Sequence, residues 1–283
     1  MREPRVLLTG LAFGESPRWH DDRLWLSNWG AQEVVAVDLA GQAEVMARVD
    51  TTLPFSIDWD AKGHLLVVSG PERLVLRRAD KGRLAAAADL RELSQHAFNE
   101  IVVDGRGNAY VNGVGFDLMG GGGFAPGLVA LVTADGAVRQ VADDIAFPNG
   151  MVVTPDDGTL IVADSYGKRL IAFAIEPDGS LSGRRVWADL GDGIPDGICL
   201  DAEGAVWYAD VPNKRCVRVR EGGEVLDVVE LDRGCFACML GGPDGGTLFV
   251  LAAEWNGPDA MRDAPRTGRV LTVPAPAPHA GRP

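Results

Sequence analysis

The chain has 283 residues, 46% of them hydrophobic, enough for a substantial buried core in one or two domains. It carries 27 Lys and Arg against 40 Asp and Glu, a net charge of −13. That sign repels phosphate backbones and anionic lipid, so neither nucleic acid nor a membrane is expected as a partner.

From the N-terminus, Met1-Arg2-Glu3-Pro4-Arg5 leads into Val6-Leu7-Leu8, an apolar run too short for a signal-peptide core. No stretch approaches the roughly 20 apolar residues of a membrane span, and a cytoplasmic location is the default expectation. Six related segments then follow: Ser16–Trp29, Ser56–Gly70, Asn99–Gly113, Asn149–Ser165, Asp196–Asp210 and Ala237–Ala253. Each is a few apolar residues, a turn rich in Asp and Gly, then an apolar strand. Further strands follow several of them at Glu33, Leu74, Leu128, Leu170, Cys216 and Arg269, and others at Gln42, Ala137, Arg184 and Glu224. Nothing has a sustained helical period.

A period of roughly 40–50 residues with four strands per unit selects a β-propeller over a sandwich or barrel. The fold expected is all-β: residues 1–273 as a single six-bladed β-propeller of four-stranded antiparallel blades. Arg5–Leu11 is left over and is expected to close the ring by pairing with the blade containing Arg269–Val273. Residues 274–283 form a Pro/Ala-rich tail, expected to be extended or disordered. The four cysteines are Cys199, Cys216, Cys235 and Cys238. Cys235-x-x-Cys238 has no second pair of similar spacing, so these read as free thiols packed in or near strands.

Alignment on the Asp-Gly turns places Glu15, Phe55, Asn99, Asn149, Asp196 and Ala237 at the start of each innermost strand, at spacings of 40, 44, 50, 47 and 41. Equivalent positions of a propeller form a ring around its channel. Four of the six carry a side-chain oxygen. Two carboxylates and two carboxamides suit a hard cation, and Ca²⁺ best, with Mg²⁺, Mn²⁺, Zn²⁺ and Fe²⁺ as alternatives. The competing reading makes Asn149-Gly150 and Asp196-Gly197 ordinary turn signals. It leaves Glu15 and Asn99 unexplained.

Around these residues the sequence resembles the senescence marker protein/gluconolactonase/luciferin-regenerating (regucalcin-like) family. The matching stretches are Gly14-ESPRW, Phe98-NEIVVDGRGNAY, Phe147-PNGMVVTPDDGTLIVADS, Arg184-RVWADL, Ile194-PDGICLDAEGAVWYAD and Gly268-RVLTV, spread over nearly the whole chain. The resemblance implies one divalent cation held by Glu15, Asn149 and Asp196. Asn99 would be a fourth ligand or act through water. It implies hydrolysis of a lactone or related ester, the metal polarising the carbonyl and acidifying the attacking water, with Asp196 as general base.

One departure bears on the substrate. Sugar-lactone members carry Arg two residues before the Asn, and this chain has Ala97 there. A methyl group offers a sugar hydroxyl no partner. Ala97, Phe98, Asn99, Phe55, Phe116 and Phe147 are the candidate substrate-binding residues, with Trp29 and Trp255 as further walls. They favour a lactone or ester less polar than a sugar lactone. There is no G-x-S-x-G elbow for a serine hydrolase. Gly120–Gly123 lacks the Lys-Ser/Thr of a phosphate loop and reads as a flexible connection. His96 reads as a loop residue near the mouth, and Asp164-Ser165 as a structural cap. The alternative function is a non-catalytic propeller holding a structural ion and a small ligand. The identity of the metal and lactone, and the oligomeric state, are left open at this stage.

Overall fold

In the computed structural model, which describes residues 3–79, 82–118, 120–257 and 266–283, the Asp-Gly punctuation becomes tight turns between short strands. Turn carboxylates are the recurring fasteners. Asp60 Oδ1 accepts from the backbone N–H groups of Lys62 and His64, Asp104 Oδ1 from Arg106 and Asn108, and Asp201 Oδ1 from Glu203 and Ala205. Asp104 accepts a further bond from Asn108 Nδ2 at 2.9 Å, and its side chain is fully buried. Asp104→Ala leaves partly buried donors without their buried acceptor, so a loss of about 1–3 kcal/mol is expected. Urea unfolding of the variant beside wild type measures it. A loss under about 0.5 kcal/mol would mean that water replaces the carboxylate.

The turns join six four-stranded antiparallel sheets. The first blade is β2 (Gly14–His20), β3 (Arg23–Asn28), β4 (Glu33–Val37) and β5 (Ala43–Arg48). The second is β6 (Phe55–Trp59), β7 (Leu65–Ser69), β8 (Leu74–Arg78) and β9 (Leu84–Asp89). The third is β10 (Phe98–Val103), β11 (Ala109–Gly113), β12 (Gly127–Val132) and β13 (Val138–Ile145). The fourth is β14 (Pro148–Val153), β15 (Thr159–Asp164), β16 (Arg169–Ile175) and β17 (Leu181–Asp189). The fifth is β18 (Pro195–Leu200), β19 (Val206–Asp210), β20 (Arg215–Val219) and β21 (Val225–Glu230). The last blade is β22 (Gly234–Gly241), β23 (Thr247–Ala253) and β24 (Gly268–Pro274), with β1 (Arg5–Leu11) as its outer strand.

The ring closes as the sequence implied. Arg5 stands opposite Thr272 and Leu11 opposite Gly268. Among the described residues helix is confined to short 3₁₀ turns such as Trp29–Ala31, and no helix is long and apolar enough to cross a membrane. Strand β9 went unread in the sequence because Leu84-Ala-Ala-Ala-Ala-Asp89 has poor strand propensity; pairing with β8 imposes its conformation.

The core lies between blades. Phe55, Ile57, Leu65 and Val67 of the second blade pack with Trp25, Val34 and Ala36 of the first. Trp19 stacks on Phe249 at a centroid distance of 5.3 Å and seals the first blade to the last. Each such side chain, fully buried, is worth about 1.5–3 kcal/mol. The Pro/Ala-rich tail packs, with bends, along the ends of the last three blades. His279 bridges to Asp201 and Arg282 to Val153. All four cysteines are free and buried, and Cys199 and Cys238 approach to 3.8 Å across the seam of the last two blades.

Candidate metal centre and substrate cavity

The innermost strands β2, β6, β10, β14, β18 and β22 line the axis, and five of them are irregular there. Pairing with the second strand of each blade slips between Glu15 and Arg18, Phe98 and Ile101, Pro148 and Met151, Pro195 and Ile198, and Cys235 and Ala237. A bulge adds a residue to one strand and re-aims the side chain it carries. Asn99, Asn149 and Asp196 sit within these slips, and Glu15, paired opposite Ser27, stands at the edge of its own. Strand β6 pairs without one, Phe55 opposite Ser69 through Trp59 opposite Leu65, and contributes no member to the ring of oxygens.

Two glycines show why these are not turn motifs. Asn149-Gly150 and Asp196-Gly197 lie within β14 and β18, and neither glycine has a positive φ. A Cβ on Gly150 would stand 2.5 Å from Ile198 N, and one on Gly197 would stand 2.7 Å from Ala237 Cβ. The glycines let neighbouring inner strands touch, which draws the residues before them together. The backbone at the start of β2 is also strained: Phe13 has φ 130° and Ser16 φ 48°, on either side of Glu15.

Glu15, Asn99, Asn149 and Asp196 face one cavity of about 1050 Å³. Asn99 Nδ2 donates to Asn149 Oδ1 at 3.2 Å, and Asn149 in turn hydrogen-bonds Asp196. Ser16 N donates to Glu15 Oε2 at 3.1 Å. Burial first, then the charges of Asp196 and Glu100, push the Glu15 carboxyl well above the ordinary range. Burial and then Glu100 do the same to Asp196. A buried Glu15 carboxyl raised in part by the charge of a half-buried Asp196, with amide oxygens beside them, gives a donor set that a divalent cation fits, since its charge offsets both the burial and the repulsion. Among the described residues no three His, Cys, Asp or Glu side chains gather as a metal site. The ring holds two carboxylates and completes its oxygen set with amides.

Beneath the ring lies a support that the sequence did not disclose. Arg18 is buried; its Nη2 donates to Ile101 O at 2.5 Å and to Glu100 Oε2 at 3.2 Å, and its Nη1 to Pro17 O at 2.9 Å. Asp58 Oδ2 lies 3.9 Å from Arg18 Nε and accepts from Val103 N at 2.8 Å. Burial raises the Glu100 and Asp58 carboxyls, and Arg18 pulls both back. Asn112 fixes the third blade to the fourth, accepting from Glu100 N and donating to Asn149 O at 2.5 Å. Arg18 therefore cannot stand in for the family's missing Arg within the cavity, because its guanidinium is committed below.

Ala97, Phe116 and Phe147 line the cavity, as do Trp29, Trp255 and His96. Phe55 and Phe98 do not, and this corrects the sequence reading. Both are fully buried between blades, Phe55 with Ile57 and Trp25, Phe98 with Val68 and Ile101. Phe98 precedes Asn99, and strand alternation turns neighbours to opposite faces. The Phe55 carbonyl instead accepts from Trp29 Nε1 at 2.6 Å. Phe13, Phe236 and Tyr166 line the cavity and were not foreseen. Asp164 caps its own blade, accepting from Phe147 N and Arg169 Nε, and Ser165 Oγ donates to Pro195 O at 2.6 Å.

Six blades around an axis that brings acidic and amide oxygens into one broad cavity define a β-propeller with an oxygen-donor centre at its hub. Residues 13–254 match the SMP-30/gluconolactonase/LRE-like region, and the chain belongs to that family. It is similar to the pentonolactonase XacC of Haloferax volcanii, 26% identical over 263 residues that cover 91% of this chain and 87% of the relative. A luciferin-regenerating enzyme of known structure superposes with a TM-score of 0.83 at 20% identity, covering 98% of each chain. Regucalcin of Agrobacterium tumefaciens, a calcium-binding protein, superposes at 0.78 with 23% identity, covering 100% of this chain and 98% of that one. The two superpositions speak to the fold.

Proposed function

We propose that this chain is a metal-dependent hydrolase that opens a lactone, or a related ester, less polar than a sugar lactone. The observation that carries the reading is the convergence of Glu15, Asn99, Asn149 and Asp196 on one cavity. The family's lactonase members, the pentonolactonase among them, support lactone hydrolysis in general. Glu15, Asn149 and Asp196 would hold one divalent cation, Ca²⁺ by the hardness of the donors, with Asn99 as fourth ligand or linked through water. When bound, such a cation supplies Lewis-acid polarisation of the scissile carbonyl and makes water more acidic.

The chain's own residues do the rest. Asp196 accepts the proton of the attacking water at a carboxylate oxygen, as general base. Asn99 and Asn149 orient it through their hydrogen-bonded relay. Ala97 presents a methyl group to the cavity, and Phe116, Phe147, Trp29 and Trp255 add apolar wall. A pocket of this kind selects modestly, since an apolar wall discriminates a methylene-sized difference by only about 1–3 kcal/mol.

The test is a panel of lactones and esters assayed on metal-stripped protein restored with Ca²⁺, Mg²⁺, Mn²⁺, Zn²⁺ or Fe²⁺. The expected result is negligible turnover without metal, recovery with Ca²⁺, and a higher kcat/KM for an alkyl γ-lactone than for gluconolactone. Full activity in the stripped protein removes the metal from the reading. A clear preference for gluconolactone means that polar recognition has been rebuilt by other residues, Asp117 on the cavity wall being the acidic candidate outside the ring.

A further inference from the structure

Above the ring, one side of the cavity is a continuous aromatic surface. Phe147 and Tyr166 stack at 4.7 Å with an interplanar angle of 27°. Phe116 lies 6.1 Å from Phe147 and 6.3 Å from Tyr166. Phe124 lies 5.8 Å from Phe116 and 6.1 Å from Tyr166. Three loops supply these rings, β11 to β12 giving Phe116 and Phe124, β13 to β14 giving Phe147, and β15 to β16 giving Tyr166. None of that is forced by folding. Tyr166 is 52% exposed and Phe124 59% exposed, so two large rings stand in water beside the mouth of the cavity. Exposed large apolar side chains clustered at a cavity mouth mark a binding surface more often than a structural one.

Charge narrows the occupant. Among the described residues, no Lys or Arg lines the cavity, while Glu15, Asp117 and Asp196 do. Arg18, near the axis, is buried beneath the ring against Glu100. Among the described residues, a ligand carrying a carboxylate, sulfonate or phosphate therefore meets no Lys or Arg in the lining above the ring, where His96 is the only basic side chain. The cavity's volume of about 1050 Å³ lies at the top of the range for drug-sized ligands and far exceeds one small lactone ring.

Resting on the lactonase reading, we infer that Tyr166, Phe147, Phe116 and Phe124 form a subsite for an uncharged aromatic substituent on the lactone. The substrate class is a neutral aryl-substituted lactone, its ester group at the ring of oxygens and its aryl ring against Tyr166. Ring-on-ring contact adds to simple area burial, so phenyl should exceed a saturated ring of similar size by about three- to tenfold.

The experiment compares 5-phenyl-, 5-cyclohexyl- and 5-(4-carboxyphenyl)-γ-butyrolactone, with unsubstituted γ-butyrolactone as reference. The corresponding lactams, which resist hydrolysis, are titrated in parallel by quenching of tryptophan fluorescence, since Trp29 and Trp255 line the cavity. The expected kcat/KM favours phenyl over cyclohexyl about fivefold and over carboxyphenyl at least tenfold, with lactam affinities in the same order. Tyr166→Leu, a substitution at a half-exposed site, should bring the phenyl-to-cyclohexyl ratio to about one. Equal phenyl and cyclohexyl values in both assays overturn the aromatic subsite, and a preferred carboxyphenyl substrate overturns its neutrality. Phenyl-selective lactam binding with no turnover of any lactone leaves the subsite standing and removes the lactonase reading beneath it.

Discussion

Asp196→Asn should lower kcat by about 10²–10⁴-fold at saturating metal, the size of effect a lost general base produces. The substitution keeps the shape of the side chain and one of its two oxygens. It removes a charge and the capacity to accept a water proton. Asp196 has two roles in the proposed scheme, so the measurement separates them: kcat under saturating metal, with occupancy determined independently by elemental analysis. Glu15→Gln is the comparison. It removes the same charge from another blade of the ring, but from a residue given only a ligand's role, so its turnover should follow occupancy. If Asp196→Asn also follows occupancy, Asp196 is a ligand and the base lies elsewhere. Unfolding is not expected to confuse the result. Asp196 is held against burial and the charge of Glu100, so neutralising it relieves a buried repulsion, and the metal-free variant should melt no lower than wild type.

The same residues show what a single sequence discloses and where it stops. The blades were legible because each repeat carries its own local signal, an apolar run with a turn carboxylate, and six copies reinforce one another. The ring was legible for the same reason: alignment on turns brings Glu15, Asn99, Asn149 and Asp196 into register whether or not their conformation is known. The bulges that aim those side chains at the axis left no readable mark. Asn149-Gly150 and Asp196-Gly197 look like turns in sequence and are strand positions where backbones touch.

Errors of one residue were costly in the same place. Phe98 and Asn99 are neighbours, and alternation sends one into the seam between blades and the other to the cavity. Phe55 occupies an aligned ring position, yet its strand lacks the slip that would turn a side chain toward the axis. Contacts between distant segments were beyond reach altogether. Arg18 and Glu100 are 82 residues apart, and nothing local to either marks the pair. Tyr166 and Phe124 likewise meet only because two loops of different blades close on one another.

Removing Arg18 should cost more stability than any other single change near the axis. Its side chain is 5% exposed, and its guanidinium bonds Glu100, the Ile101 carbonyl and the Pro17 carbonyl, with Asp58 at 3.9 Å. Arg18→Met preserves length and apolar stem but leaves Glu100 as a buried charge without its cation. Breaking a buried pair from one side typically costs about 3–5 kcal/mol, because the remaining charge keeps its desolvation penalty and loses its compensation. Asp58 suffers less, since Val103 N and Trp59 N already donate to it at 2.8 Å each. For a domain of this size about 2–4 °C of Tm accompanies each kcal/mol, so the shift should be on the order of 10 °C. Overpacking or a generally intolerant site would produce a similar loss, and a second variant distinguishes them. In Arg18→Met/Glu100→Gln the stranded charge is gone, so part of the lost stability should return although one more native side chain has been changed. The quantity to measure is the coupling free energy of the double-mutant cycle, from denaturant unfolding of wild type, both single variants and the pair. A coupling above about 1 kcal/mol establishes the buried pair as the anchor beneath the ring. Additive losses would mean that Arg18 acts through its two carbonyl contacts alone, and that Glu100 is neutral in the folded protein.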